Sequence, residues 1–202
     1  MTLIFWFQFA AVCIAGAMSP GPSLALIIRN STKFNRLGGI MSAVGHGLGM
    51  GVYAIFAVTG LSIIILTNIY VFKSIQLIGI LFLFVFGILF IFQKNNKIDI
   101  VDSQNKLNSF LQGFSISILN PKILIWFSAV FSQFVKSDST FLTNSILVIT
   151  ASTIDCIWYI FVAIIVTSYG LKDFFQKNIN AIQKISGTVL VIISILLIID
   201  FF

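Results

Sequence analysis

The sequence predicts an all-α integral membrane protein, and three observations carry that prediction. Of the 202 residues, 58% are apolar and only 9% are charged, whereas a soluble domain carries about 25% charged residues. The apolar residues form long runs, and roughly 20 apolar residues cross a bilayer core about 30 Å thick as a helix. These runs lack the polar–apolar alternation of membrane β-barrel strands, so the bundle is expected to be helical.

Six apolar runs predict six transmembrane helices. They cover residues 3–28, 39–66, 72–92, 110–135, 141–168 and 179–199. Only YGLKDFFQKNIN separates the last two, and its lysines and aspartate indicate a break. The small residues Ala15, Gly16 and Ala17 are typical of a signal-peptide cleavage site, but the basic residues that open a signal peptide do not precede them. We therefore expect the first span to remain in the protein.

The basic residues indicate the orientation of the spans. The loops at 29–38, 93–109 and 169–184 hold nine lysines and arginines, while the opposite side holds two, Lys73 and Lys136. Cytoplasmic loops are enriched in these residues, so the three loops are expected in the cytoplasm and both termini outside. This distribution accounts for the net charge of +6 without a nucleic-acid partner.

The chain divides into two halves of three spans each. The polar segment 93–109 separates repeat one, residues 1–92, from repeat two, residues 110–202, within one transmembrane domain. The third spans are similar, with IQLIGILFLFVFGILFIF from Ile75 and IQKISGTVLVIISILLII from Ile182. Because each half has an odd number of spans, the halves would face opposite ways as inverted repeats. Interrupted helices at matching positions of such repeats are typical of a transporter's binding site.

Prolines interrupt the first span of each half. Pro20 and Pro22 lie in the motif SPGP, and Pro121 lies in the motif NPK. Proline lacks an amide donor and displaces the carbonyl four residues back. The carbonyls expected to be freed belong to Gly16, Met18 and Ser117. Since hydrocarbon cannot satisfy them, they are expected to be buried in protein or to line a polar cavity.

The breaks also create new helix N-termini, for which Ser19 and Asn120 are the predicted caps. Such a terminus attracts anions through its free N–H groups and its dipole. Two of them, brought together, would form a seat for a carboxylate. The alternative is a pair of proline kinks that neighbouring helices satisfy.

Two charged residues lie deep in the apolar spans. Lys122 follows Pro121 in span four, and Asp155 is central in span five. Charges at such depth are costly and usually mark a substrate or proton pathway. Asp155 would hold a substrate ammonium or a proton, and Lys122 would hold a carboxylate or the loosened backbone. Alternatively, the two pair with each other.

Span two contains small residues at four-residue spacing and one histidine. His46 is interpreted as a packed or interfacial polar residue, with a role as proton relay as the alternative. The small residues would form one smooth ridge that allows close helix approach, either within one chain or across a homodimer. The ridge consists of Gly39, Ala43, Gly47 and Gly51, with Gly45 and Gly49 alongside.

The quoted motifs together identify a resemblance. SPGPSLALIIRNSTKFNRLGGIMSAVGHGLGMG, FLQGFSISILNPKILIWFSAVFSQFV and DCIWY resemble the LysE/RhtB family of amino-acid exporters over essentially the whole chain. The resemblance implies a six-helix carrier in the bacterial plasma (inner) membrane that exports amino acids with the proton gradient. The functional positions carried over are Ser19, Pro20, Gly21, Pro22, Asn120, Pro121, Lys122 and Asp155. Asn35, where the family often has glycine, and Ser132, where it often has proline, depart from the pattern.

The expected function is therefore proton-coupled export of a small amino acid, with no enzymatic activity and no cofactor. Only one acid lies deep in the spans. With lysine or arginine as substrate, this acid would have to neutralise a second positive charge as well as carry a proton, so neutral substrates are favoured. The alternatives are a metal-ion exporter, for which one central aspartate supplies few ligands, and a thiol electron carrier. The latter would use Cys13 and Cys156, which are otherwise interpreted as small apolar filler. A sensor or structural protein with a degenerate carrier fold also remains open.

Overall fold

The computed structural model describes residues 2–92, 108–168 and 172–201, and all regular structure in these ranges is α-helical. The all-α prediction is confirmed for this part of the chain. The helices are α1 (Leu3–Met18), α2 (Pro22–Lys33), α3 (Asn35–Thr67), α4 (Ile69–Phe92), α5 (Ser109–Leu119), α6 (Pro121–Phe134), α7 (Phe141–Ser168) and α8 (Lys172–Phe201).

Several helices are long and apolar enough to cross a membrane. In the ranges described, four do so individually, within α3, α4, α7 and α8. Helices α1 and α2, bent by 62° at the break between them, meet the same criterion of length and apolar composition only when they are taken together. The bend coincides with the predicted break at SPGP. The second predicted break separates α5 from α6 at Asn120. The chain is thus a multi-pass membrane protein.

Asparagines lie at two short helix connections: Asn35 is the first residue of α3, and Asn68 separates α3 from α4. Asn35 adopts a positive φ of 59°, which asparagine tolerates better than most residues, and the chain reverses there between α2 and α3. At Asn68, the side-chain Oδ1 accepts hydrogen bonds from the backbone N–H groups of Tyr70 and Val71, both at 3.1 Å. One residue therefore connects α3 to α4, where the sequence suggested five.

Helices α3 and α7 form the centre of the bundle. Helix α3 also packs along α5 and α2, while α4 packs against α8 and α6, and α1 packs against α7 and α8. At the crossing of α4 and α8, a Cβ added to Gly187 would lie 2.6 Å from the carbonyl oxygen of Gly87. Small residues therefore set the closest approaches, as is usual for helices in lipid.

The predicted glycine ridge of α3 packs within the chain. A Cβ added to Gly47 would lie 2.6 Å from the Cβ of Cys156 on α7, and Ala43 is fully buried. On a neighbouring face, Gly45 and Gly49 approach α5 so closely that added methyl groups would overlap the carbonyl of Phe110 and the hydroxyl of Ser117. The ridge thus packs against α7, and the glycines alongside it pack against α5.

Aromatic side chains fill the space between α1 and α6. The ring centroids of Phe9 lie 5.3 Å from Phe131 and 5.0 Å from Phe134, and Phe5 lies 5.0 Å from Phe134. Other large apolar side chains, such as Phe56, are exposed and are suited to contact lipid. The phenylalanines thus provide both packing and a lipid-facing surface.

Three helix boundaries differ by more than three residues from the predicted spans. Helix α2 continues to Lys33, α3 begins at Asn35, and α8 begins at Lys172. The segment interpreted as a separator is therefore helical from Lys172, while residues 169–171 and most of the loop at 93–109 lie outside the described residues. Apolar composition marks the part of a helix that lies in lipid, but backbone hydrogen bonding continues beyond it.

Candidate functional site

A cavity lies between the two helix breaks. Its volume is about 50 Å³. The first break contributes Ser19, Gly21 and Pro22, and the second contributes Asn120. The remaining walls come from α1 (Cys13, Gly16, Ala17), α2 (Ser23), α3 (His46, Met50), α4 (Phe86, Phe90), α6 (Ile123, Trp126, Phe127) and α7 (Ala151, Asp155, Tyr159).

At the first break, the carbonyl of Gly16 is hydrogen-bonded within the break itself. Ser19 ends α1, and its N–H donates to the carbonyl of Gly16 at 3.1 Å. The expectation that Pro20 leaves this carbonyl free is therefore wrong, because a three-residue turn supplies another donor. Ser19 is also not the N-cap of α2: that position belongs to Gly21, which has no side chain to cap with, and Pro22 occupies the first helical turn.

The second break is satisfied from a neighbouring helix. The hydroxyl of Tyr53 on α3 donates to the carbonyl of Ile118 at 2.5 Å, close to the end of α5. Beyond the break, the N–H of Ile123 donates to the carbonyl of Asn120 at 3.0 Å. A membrane interior requires such partners for interrupted backbone, and Tyr53 shows that α3 supplies one.

Asp155 is paired with His46. The carboxylate Oδ2 and the ring Nδ1 lie 2.6 Å apart, and both residues are at least 98% buried. The ring Nε2 lies 2.8 Å from the hydroxyl of Ser23 on α2. A continuous hydrogen-bonded chain therefore joins α7, α3 and α2 beside the cavity.

Regular spacing on the helices explains how these side chains meet. Ala151, Asp155 and Tyr159 recur every four residues and share the buried face of α7. His46 and Met50 have the same spacing on α3 and line the cavity from the other side. The ring of Tyr159 packs edge-on against His46, with their centroids 4.9 Å apart. The aromatic ring thus covers one side of the hydrogen-bonded pair of His46 and Asp155.

A second buried polar cluster lies at the other end of α2. The side-chain amide of Asn30 donates to the hydroxyl of Ser42 at 2.7 Å and to the side-chain carbonyl of Gln112 at 2.9 Å. The hydroxyl of Ser42 lies 3.0 Å from the carbonyl of Ser109. This cluster, here called the Asn30 clasp, connects α2, α3 and α5 about 12 Å along α2 from the first break.

The family model of LysE type translocators matches residues 14–201. The chain belongs to this family. The translocator is accordingly a transporter rather than an enzyme. The resemblance to the LysE/RhtB family that its motifs indicated is confirmed.

Relatives of this translocator include proteins from two bacterial genera. It is 27% identical to the uncharacterized membrane protein YrhP of Bacillus subtilis (strain 168), over 94% of the chain and 95% of YrhP. It is 30% identical to proteins named threonine efflux protein from Salmonella typhi and Salmonella typhimurium, over 67% of the chain and 69% of each relative. No solved structure matches the translocator.

The structure brings many of the translocator's predicted site residues together. Ser19, Gly21, Pro22, Asn120 and Asp155 line one cavity, and Pro20 lies half-buried in the first break. The side chains of Pro121 and Lys122 lie outside the described part. Both the predicted substrate role of Lys122 and the alternative, in which it pairs with Asp155, therefore stay predictions.

His46 and Trp126 line the cavity but do not belong to the predicted site residues. His46 has a polar side chain deep in an apolar span, which was a usable signal, yet its partner is distant in sequence. Trp126 gave no signal, because tryptophan in an apolar span is commonly packing. Where the structure is described, no three histidine, cysteine, aspartate or glutamate side chains gather as a metal site would require.

Proposed function

We propose that this translocator is a secondary active exporter of a small amino acid. The observation that carries the proposal is the cavity at which both helix breaks meet the buried carboxylate of Asp155. The relatives named as threonine efflux proteins support a neutral amino acid as cargo.

The proposed architecture has six spans in two inverted three-helix repeats. Helices α5 and α6 form the fourth span, broken as α1 and α2 break the first. Repeat one then covers residues 1–92 and repeat two covers residues 110–202. The uneven distribution of basic residues supports cytoplasmic loops between spans one and two, three and four, and five and six. Both termini would then lie outside the bacterial plasma membrane.

The proposed substrate lies between two regions of opposite charge. Its carboxylate faces the breaks at Ser19–Pro22 and at Asn120–Lys122, where the N-termini of α2 and α6 carry partial positive charge. Its ammonium faces Asp155. The hydrogen bonds that Asp155 makes to the described residues use Oδ2, which leaves Oδ1 for the substrate.

Proton coupling follows from the same carboxylate. A protonated Asp155 no longer attracts an ammonium group, so a proton arriving from outside would release the amino acid there. The His46 ring can share or pass on the proton, since its Nδ1 contacts Asp155 and its Nε2 contacts the hydroxyl of Ser23. Exchange of one proton for one neutral amino acid is the proposed antiport.

The test uses purified protein in lipid vesicles loaded with labelled threonine, alanine, homoserine and lysine. An imposed pH gradient should drive selective loss of neutral amino acids, and Asp155→Asn should abolish the dependence on the gradient. Asp138→Asn, which changes an exposed aspartate in the loop before α7, is the matched control and should export normally. Export by Asp155→Asn at the wild-type rate across pH would remove the acid from the mechanism.

The alternatives predict different outcomes in the same vesicles. A metal-ion exporter would move labelled divalent cations and leave the amino acids inside. A thiol electron carrier would lose its activity when Cys13 and Cys156 are both replaced by serine, whereas amino-acid export should persist. Loss of no amino acid faster than from protein-free vesicles would reject the proposed function.

A further inference from the structure

We propose that the indole N–H of Trp126 donates a hydrogen bond to the carboxylate of the transported amino acid. This inference rests on the proposed export of amino acids and names a binding group within that site. It adds a side-chain donor from α6 to the backbone groups of the two breaks.

The first observation is a buried donor without a partner. Trp126 is 93% buried and lines the cavity. Its Nε1 makes no hydrogen bond to the described part of the chain. The two other side-chain atoms in this condition, Oδ1 of Asn144 and Nε1 of Trp158, belong to residues away from the cavity wall. Buried indole N–H groups normally have a partner, so the cavity is where one is expected.

The second observation is the position of the ring. Trp126 lies one turn after Lys122 on α6, near the second break. Its indole packs directly against Gly16, one turn before Pro20 at the first break. A Cβ added to Gly16 would overlap the ring, with Cε2 only 2.7 Å away. The ring therefore spans the space between the two breaks, where the substrate carboxylate is proposed to lie.

Hydrogen-bonding chemistry then decides which end of the substrate Trp126 contacts. An indole N–H only donates. A carboxylate only accepts, and an ammonium only donates. Trp126 can therefore satisfy the carboxylate and cannot satisfy the ammonium, which is left to Asp155 across the cavity. The two side chains together would fix the direction in which a zwitterion lies.

Trp126→Phe tests the donor while keeping an aromatic ring. In the vesicle assay the KM for threonine should rise about tenfold, which corresponds to about 1.4 kcal/mol, with a smaller change in maximal rate. Trp158→Phe is the matched control, because it removes another unpartnered buried indole N–H that lies away from the cavity. Its KM should stay at the wild-type value.

A competition assay separates binding from packing. Threonine amide keeps the ammonium and lacks the charged carboxylate, so it should compete less well than threonine in the wild type. Trp126→Phe should reduce this preference, since the charge-assisted hydrogen bond is lost. A purely structural role would weaken threonine and its amide equally. That result, or an unchanged KM, would overturn the inference while leaving export intact.

Fluorescence distinguishes failure of the inference from failure of the export proposal. Trp6→Phe combined with Trp158→Phe leaves Trp126 as the single tryptophan. Added threonine should shift its emission. A shift without any transport would support the contact and reject export, whereas no shift and no transport would reject both. The measurement retains Trp126 and so does not depend on the folding of Trp126→Phe.

Discussion

At the scale of single residues, the important feature is that both ring nitrogens of His46 are engaged. A neutral ring can donate to Asp155 from Nδ1 and accept at Nε2 from the hydroxyl of Ser23. A protonated ring can donate to both, because the hydroxyl rotates to accept. The charge of the pair can therefore change without breaking either contact, which suits the proposed exchange of a proton for the amino acid.

His46→Gln should flatten the dependence of export on pH. Glutamine can still hydrogen-bond but cannot take up and pass on a proton as an imidazole can, so the contribution of the ring to proton coupling should be lost. We expect the maximal rate to fall by about tenfold, the effect of losing about 1.4 kcal/mol of interaction. Initial rates of threonine export from pH 5.5 to pH 8.5 provide the measurement.

Ser23→Ala is the control for this prediction. It removes the hydroxyl beside Nε2 but keeps the imidazole and its contact with Asp155, so the pH dependence should persist even where the rate declines. If His46→Gln retained the wild-type pH profile, the imidazole would have no part in coupling, and Asp155 alone would carry the proton.

The sequence identified Asp155 but not its partner. A carboxylate deep in an apolar span is costly, and this cost is visible without any structure. Its pairing with His46 depends on how α7 is rotated relative to α3. In the same way, the position of Trp126 beside Gly16 depends on how α6 is rotated relative to α1. Such relations involve residues far apart in the chain, and local patterns do not contain them.

At the scale of helices, α3 and α5 approach each other through glycine. A methyl group at Gly113 would overlap the backbone carbonyl of Ser42, whereas no atom of the described residues lies within 4 Å of one at Gly60. Alanine favours helices over glycine by about 1 kcal/mol, but overpacking against rigid backbone costs about 1–3 kcal/mol. The two glycines should therefore respond oppositely to substitution.

Gly113→Ala should lower the thermal unfolding temperature of the protein in detergent, by several degrees. Gly60→Ala should leave it unchanged or raise it slightly. The comparison uses the same substitution in both cases and isolates the close contact. Equal unfolding temperatures for the two variants would mean that α5 can move away from α3 without cost.

Helix types were predictable, but some helix ends were not. The bounds of α7 agree with the predicted span, residues 141–168, because its apolar run and its helix are equally long. Helix α8 starts seven residues earlier than its apolar run, at Lys172 rather than 179. Its first turns are polar, and polarity alone does not end a helix. A residue with extended backbone does, as Asn68 does after α3.

At the scale of the whole molecule, the cavity and the Asn30 clasp lie at different levels of the bundle. Export by alternating access requires the cavity to open first to one side and then to the other. The clasp holds α2, α3 and α5 together on the side that the basic residues predict to be cytoplasmic. Breaking it should favour opening on that side.

Asn30→Ala should increase access to the cavity from the cytoplasmic side. Cys13 lines the cavity and is buried, so in a Cys156→Ser background its modification by a membrane-impermeant thiol reagent reports opening. We expect the modification rate to rise about tenfold, as the closed state loses about 1.4 kcal/mol. Inverted membrane vesicles present the cytoplasmic side to the reagent.

Asn144→Ala provides the matched substitution at the opposite end, near the start of α7. It should not change the modification of Cys13 from the cytoplasmic side. A rate that stayed at the wild-type value in Asn30→Ala would show that the clasp stabilises the helices without controlling access.

The single-residue connection at Asn68 has a consequence for biosynthesis. Helices α3 and α4 are joined with almost no chain between them, and Lys73 carries the only charge from residue 59 to residue 77. Few polar residues therefore have to cross the lipid when the connection between α3 and α4 is moved to the other side of the membrane. The pair can therefore enter the bilayer together as a helical hairpin, so that a nascent chain does not have to place either helix alone.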